Sequence, residues 1–346
     1  MTSRTRIKKM PSRKLRKGKK TPAGSGPKIP LLKLHRCMIR IRFFEEKLRE
    51  LYAAGRVRGL VHLSIGQEAV AAGVCANLRD EDYIVSNHRG HGHLIAKGLG
   101  PPSMIAELFG KQDGCCRGRG GSMHMGDLRR GILGANGIVG AGLPIATGAA
   151  LSAKVLEKDH ISVVFFGDGA SNQGTFHESM NLAAVLKLPV LFVCENNCYA
   201  LSIPQSSHMA VAHVADRALA YGMPGAVVDG NDVGAVFEAA KEAIARVRAG
   251  KGPYLFECKT YRWRGHGESD PSGGTKLRPA EEIAEWKGRC PIERAEKALL
   301  SGGLSTKRKL ANLRSKILTE MEDAVTFAEN SPLPEAVDFA DFAYVD

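Results

Sequence analysis

Asp168 stands in a Gly167-Asp168-Gly169 turn directly after the apolar run Ile161 to Phe166, and the pair Asn196-Asn197 directly follows a second apolar run, Val190 to Cys194. Two such runs laid in parallel and joined by a helix bring their carboxyl ends to one edge of a sheet, where the ligands of α/β folds bind. Asp168 and Asn197 are expected to meet there. A carboxylate, a carboxamide oxygen and a backbone carbonyl are hard ligands; with phosphate oxygens and water they complete the octahedron that Mg2+ demands. The flanking glycines let the backbone approach such a ligand closely. The pattern points to a magnesium diphosphate site. Taken alone, Asp168 also reads as a strand-end carboxylate that caps the next helix.

The stretch Ser86 to Gly98 carries Arg89 among three histidines, His88, His91 and His93. A guanidinium fork matches phosphate oxygens bidentately. The histidines alone suggest a transition metal, but zinc needs further converging ligands and a closed geometry. Gly134 to Gly142 spaces its first three glycines GxxGxxG, not GxGxxG, and opens no strand-turn-helix unit that ends in an acidic ribose ligand. A dinucleotide fingerprint and a P-loop are thereby excluded.

These residues need elements to hold them. Residues 31 to 54 place apolar positions at helical spacing with opposite charges between them, which predicts an amphipathic helix. Gly66 to Asn77 predicts a small-residue helix, Asp80 to Ser86 a short strand, and His88 to His93 a polar turn. Residues 110 to 142 are glycine-dense and predict a long loop, of the kind that is usually functional in a compact domain. Then follow a helix over Leu143 to Leu156, the strand ending at Phe166, a helix over Asn172 to Lys187 and the Val190 strand. Residues 226 to 229 and 254 to 260 predict further strands around a Val233 to Ala249 helix. A Gly/Pro/Ser loop spans Pro271 to Pro279, and two helical stretches close the chain. The β-α-β-α-β alternation predicts an α/β fold with a doubly wound parallel sheet.

The segment GDGASNQGTFHESMNLAAVLKLPVLFVCENNCYA resembles the thiamin-diphosphate motif of the alpha subunit of the first component of 2-oxo acid dehydrogenases, the pyruvate and acetoin enzymes in particular. The likeness includes GLVHLSIGQEA, SNHRGHGHLIAKG, GRGGSMHM, GANGIVGAGLP and YRWRGHGESDP, in the family's order, over roughly residues 31 to 330. It implies a thiamin-diphosphate-binding fold with thiamin diphosphate and Mg2+ as cofactors. Asp168, Asn197 and the main-chain carbonyl of Tyr199 would then ligate the metal. His88, Arg89, Gly137, Val139, Gly169 and Ala170 would hold the cofactor, with the backbone around Ile138 against its aminopyrimidine. His62 and His266 match catalytic histidines near the thiazolium and the substrate, although a lone histidine is more often structural. The implied partners are a beta subunit in a two-alpha two-beta assembly and a lipoyl acyltransferase component. The beta subunit would supply the glutamate that activates the aminopyrimidine. The implied substrate is a small 2-oxo acid, with pyruvate as the first reading and acetoin as the alternative. Gly267 and Pro204 stand where mammalian pyruvate enzymes carry phosphorylatable serines, so kinase control through those positions is not implied. Ser64, Ile65 and Arg264 also depart from the family around the substrate pocket.

At 346 residues and 44% apolar content the chain has ample material for a core. Its formal charge of +13 is concentrated at one end: residues 1 to 30 hold eleven Lys or Arg and no acid, which leaves +2 for the remainder. We read residues 1–30 as a disordered basic tail, 31–330 as one catalytic body and 331–346 as a C-terminal extension. Nucleic-acid binding through the tail is the remote alternative, because the body offers no comparable charge. The tail is acid-poor like a transit peptide yet not amphipathic, so a cytoplasmic protein is expected, with the mitochondrial matrix as the alternative. No apolar run is long enough to span a membrane. The eight cysteines lack the context of a disulfide framework and are expected reduced, including the adjacent Cys115-Cys116.

Overall fold

The computed structural model describes residues 29–270 and 277–335. The basic tail up to residue 28, most of the 271–279 loop and the last eleven residues lie outside the described residues. At the centre is a six-stranded, all-parallel sheet in the order β2-β1-β3-β4-β8-β7. Its strands are β1 (Tyr83–Val85), β2 (Ile132–Gly134), β3 (Ser162–Gly167), β4 (Val190–Asn196), β7 (Gly225–Asp229) and β8 (Tyr254–Lys259). A two-stranded hairpin, β5 (Tyr199–Ala200) with β6 (Ile203–Pro204), stands apart from it.

Both faces of the sheet are covered, which explains why β3 and β4 are apolar without alternation. Val163, Phe165, Leu191 and Val193 point into the larger core, together with α1 (Leu31–Ala53), α2 (Glu68–Cys75) and α8 (Val233–Arg248). Their neighbours Val164, Phe166, Phe192 and Cys194 point the other way, into a second core under α5 (Gly142–Val155) and α6 (Gly174–Val185). This is the doubly wound arrangement that the alternation of elements predicts. Among the described residues no helix is long and apolar enough to cross a membrane.

The expected elements recur with trimmed ends, and four differences are instructive. The His88 to His93 turn continues as helix α3 (His91–Lys97), so His91 and His93 point from a helix into the interior. A helix α4 (Pro101–Leu108) precedes the glycine-rich loop; its signal is Pro101 in the first turn, where the missing N–H costs nothing. That loop contains the edge strand β2, only three residues long between glycines and hence without readable periodicity. Three helices rather than two close the described chain: α9 (Ala280–Gly288), α10 (Pro291–Ser301) and α11 (Lys307–Asn330). The short α7 (Gln205–His208) follows the hairpin.

Of the two small-residue helices, α2 is buried at every position, whereas α5 keeps Ile145, Gly148, Leu151 and Val155 exposed. The cause in α2 is close helix packing. A Cβ added at Gly73 would lie 2.6 Å from Cγ1 of Val236 and 3.1 Å from the backbone of Phe237 in α8. Gly73→Leu is therefore expected to force the two helices apart and destabilise the fold by about 1–3 kcal/mol, the usual range for overpacking. Thermal or denaturant melts check this, and an unchanged midpoint would mean that the contact yields freely.

Candidate active site

The C-terminal ends of β1, β2, β3 and β4 open into one cavity of about 460 Å3. This is where a doubly wound sheet reverses: the chain leaves β1 towards β2 and leaves β3 towards β4, so the connections diverge and a crevice remains between them. From β1 come Ser86, Asn87 and His88; from the segment after β2, Asn136, Ile138 and Val139; from the turn after β3, Asp168, Gly169 and Ala170. Asn197 follows β4, Tyr199 and Leu201 belong to the β5–β6 hairpin, and Arg262 and His266 follow β8. Gly137, Arg89 and His62 are not on the cavity wall. Gly137 instead backs onto His124, whose ring lies 3.4 Å from where a Cβ would be.

Parallel pairing brings the proposed metal ligands together. β3 and β4 run in register up to Gly167 opposite Glu195, so Asp168 and Asn197 emerge side by side. Asp168 is 1% exposed and has no Lys or Arg ion pair among the described residues; His208 on α7 lies 3.2 Å from its Oδ2. That contact raises the His208 pKa above its ordinary value. The Asn197 Oδ1 accepts the Tyr199 N–H at 3.3 Å and its Nδ2 donates to Gln67 Oε1 at 3.2 Å, which fixes the carboxamide. Gly169 is required by space: an added Cβ would lie 2.8 Å from that of Ala200.

Two buried arginines bring positive charge to the same region. Arg262 is buried, reaches the carbonyls of Tyr199 and Leu201, and leaves its Nε without a partner. Burial, with Arg89 and Arg278 nearby, lowers its pKa to about 9. Arg89 donates to the carbonyls of Leu63 at 2.6 Å and His266 at 3.0 Å, and burial takes its pKa to about 10. The sequence reading missed Arg262, although it lies inside the YRWRGHGESDP motif, and His208, for which no local signal exists.

His62, His88 and His266 converge, with ring centroids 4.7, 4.9 and 5.2 Å apart. Burial first, then the Arg89 charge, lowers their pKa values to about 4, 2 and 3 respectively. All three are neutral at ordinary pH, and the Nδ1 atoms of His62 and His266 have no partner. Orphaned buried polar atoms are costly. Two of them, His266 Nδ1 and Arg262 Nε, belong to residues that line the cavity, while His62 Nδ1 lies in the ring packed against His266; a polar, anionic guest suits such a wall.

The other two motif histidines do not reach the cavity. His91 Nδ1 meets Glu45 Oε2 at 3.0 Å and its Nε2 meets Ser122 Oγ at 3.0 Å. Burial pushes the Glu45 carboxyl up, but His91 and the Ser64 donors hold it below its ordinary value. His93 stacks on Phe165 at 3.9 Å and bridges Ser86 Oγ at 2.8 Å to Glu195 Oε2 at 3.1 Å. The three-histidine run is thus divided between one cavity residue and two struts.

Residues 36–337 match the model of the dehydrogenase E1 component. The chain belongs to the dehydrogenase E1 component family. It is similar to the alpha subunit of acetoin:2,6-dichlorophenolindophenol oxidoreductase of Bacillus subtilis, with 49% identity over 90% of this chain and 92% of that one. The corresponding subunit of Cupriavidus necator is 45% identical over 92% and 95% of the two chains. The chloroplastic pyruvate dehydrogenase E1 component subunit alpha-3 of Arabidopsis thaliana is 44% identical over 88% of this chain and 72% of its own. Within the E1 family this is an alpha-type chain, and the relatives divide between acetoin and pyruvate by name.

The histidine cluster makes a prediction about pH. In the unfolded chain these groups protonate below about 6.5, whereas in the fold they stay neutral far below that value. Their contribution to stability is complete above 6.5 and is lost as pH falls towards the folded values. His88→Asn should melt with a shallower dependence on acid than the parent chain. Thermal midpoints measured from neutral to mildly acid pH check this; identical slopes would show that the cluster does not exclude protons.

Proposed function

We propose that this chain is the alpha subunit of a two-chain, thiamin-diphosphate- and magnesium-dependent E1 that acts on acetoin, with pyruvate as the second reading. The observation that carries the proposal is the convergence of Asp168, Asn197 and Arg262 on one cavity: hard oxygen ligands together with an incompletely bonded guanidinium. Acetoin takes precedence over the pyruvate expectation because the two acetoin relatives are 49% and 45% identical to this chain, against 44% for the Arabidopsis pyruvate dehydrogenase subunit. The second reading rests on the pyruvate relatives and on the Ser269-Asp270-Pro271 that ends the histidine loop.

When bound, thiamin diphosphate supplies the electron sink for breaking the bond beside a substrate carbonyl. The protein's own residues do the rest. Asp168, Asn197 and the Tyr199 carbonyl would hold Mg2+, and Arg262 would balance diphosphate charge. Arg89 acts on the His266 loop through its carbonyl and adds its charge to the same side. His88 and Val139 would contact the cofactor from the wall, with Gly137 in the segment beside Val139. His62 and His266, neutral and with free Nδ1 atoms, are suited to hold or pass a proton at the reacting end.

A partner chain is part of the proposal. Ile138 is 71% exposed although it lines the cavity, and Val139, Leu201 and Ile203 are also exposed apolar residues on its rim. The α5–α6 side adds Leu151, Val155, Leu182 and Val185. A beta subunit closing the cavity would cover such a surface, and the proposal assigns it the carboxylate that addresses the aminopyrimidine. A lipoyl acyltransferase component would take the acyl product.

The test is calorimetric titration of the alpha-beta assembly with thiamin diphosphate and Mg2+, followed by reduction of an artificial electron acceptor with acetoin or pyruvate. Asp168→Ala should weaken cofactor binding by about a hundredfold or more, since even outer partners of a metal are worth roughly ten- to a hundredfold. Turnover should be faster with acetoin than with pyruvate. Undiminished affinity in the variant would remove Asp168 from the metal site. Preferential turnover of pyruvate would reverse the substrate assignment.

A further inference from the structure

Cys115 and Cys116 are adjacent in the glycine-rich loop, and both are partly exposed. The two thiols and a carboxylate oxygen of Glu107 lie within 4.8 Å of one another, a grouping that invites comparison with a metal site. Glu107 is already fully engaged. Its Oε2 accepts the N–H groups of Cys116 and Gly118, each at 2.8 Å, and its Oε1 accepts those of Gly120 and Gly121 at 2.7 and 3.0 Å. A carboxylate with four acceptor positions filled has none left for a cation. What remains is a pair of thiols beside a loop that is hung on one buried carboxylate at the end of α4.

The thiols differ. The Cys116 thiol is favoured in its ionised form by the hydrogen bond with Cys115, while the same contact, with burial, raises the Cys115 pKa. While protonated, the Cys116 thiol donates to the carbonyls of His124 at 3.6 Å and Gly126 at 3.7 Å. Thiolate character and exposure together mark the oxidisable cysteine, and a neighbouring thiol marks the resolving one.

We propose that Cys115 and Cys116 form a peroxide-sensitive modification site whose oxidised form, a vicinal disulfide, releases the glycine loop from Glu107. The Cys116 sulfur attacks one peroxide oxygen; the O–O bond breaks, Cys116 becomes a sulfenic acid and water leaves. The Cys115 sulfur then attacks Cys116 sulfur, the S–O bond breaks and a second water leaves. Two thiols have lost two electrons and two protons, and the peroxide has been reduced to water. Joining the sulfurs of consecutive residues closes a small ring that turns the peptide between them. That peptide carries the Cys116 N–H held by Glu107, so the four-bond cradle cannot persist unchanged.

The loop leads directly to the cavity wall. Met125 O accepts the Ala135 N–H at 2.8 Å, His124 packs against Gly137, and Asn136, Ile138 and Val139 line the cavity. Loosening residues 116–121 should therefore weaken cofactor binding, a consequence that rests on the cofactor reading above, whereas the disulfide and the released amides do not.

The assembled alpha-beta enzyme is treated with hydrogen peroxide and mapped by peptide mass spectrometry, before and after dithiothreitol. A Cys115–Cys116 linked peptide that dithiothreitol reverses is expected, together with faster amide hydrogen exchange over residues 116–121. Thiamin diphosphate affinity should fall by about fivefold or more, the low end of coupling between sites, and recover on reduction. Cys116→Ala, a variant outside the cofactor site, should keep slow exchange and unchanged affinity in peroxide. Absence of the linked peptide while other cysteines oxidise overturns the proposal. So does an exchange or affinity change that persists in Cys116→Ala, which would point to another cysteine. If the linked peptide and fast exchange appear but the apo enzyme never binds thiamin diphosphate, the cofactor reading fails and the redox site stands.

Discussion

The parallel pairing of β3 with β4 is the constraint on which the site depends. Six consecutive residue pairs, Ser162 opposite Val190 through Gly167 opposite Glu195, fix where the two strands end. Because side chains alternate across a sheet, a slip of one residue would move Val163 and Phe165 from one core to the other and turn Asp168 away from Asn197. Burial on both faces makes such a slip prohibitive, since every residue of β4 and all but the last of β3 are buried. The hydrophobic cores thereby set a polar geometry to within a fraction of a residue.

Around this edge, buried polar groups tie elements of different origin into one rigid floor. His93 connects the end of β1 through Ser86 with β4 through Glu195, and its ring lies flat on Phe165 of β3. His91 connects Glu45 of α1 with Ser122 of the glycine-rich loop. Glu257 at the end of β8 accepts Asn196 Nδ2 at 2.6 Å and the Ala215 N–H at 2.8 Å, so the residue beside Asn197 is held from the neighbouring strand. Each of these carboxylates would be expensive to bury alone; Glu45 and Glu257 accept from several donors, and Glu195 meets His93.

Electrostatics gives the cavity its polarity. Burial, with Arg278 nearby, lowers the proton affinity of Arg89 and Arg262, and burial with the Arg89 charge keeps the three nearby histidines neutral. Excess positive charge in a desolvated site is a standing attraction for an anion. Asp168 brings a carboxylate to the same cavity and lies close enough to Arg262 to oppose the fall in its pKa.

Much of the architecture is legible in the sequence because it is local. Continuous apolar runs fix β3 and β4, helical spacing fixes α1 and α8, and the turn residues around Asp168 and Asn197 disclose a ligand edge before any sheet is built. Short elements escape this reading: β2 has three residues and no period, and α3 is overridden by the polar look of its histidines. Sheet order, and with it the crevice between β1 and β3, is a long-range property. So is the division of His88, His91 and His93 between the cavity and the floor, which depends on whether Glu45, Glu195 or the cavity faces each one. His62 and His266, distant in the chain, meet only because the loops after α1 and β8 are folded together, and Arg262 becomes a site residue only when the β5–β6 hairpin packs against it. Residue type and spacing thus determine which chemistry is available; topology decides which side chains converge, because convergence is set by packing between segments that share no local pattern.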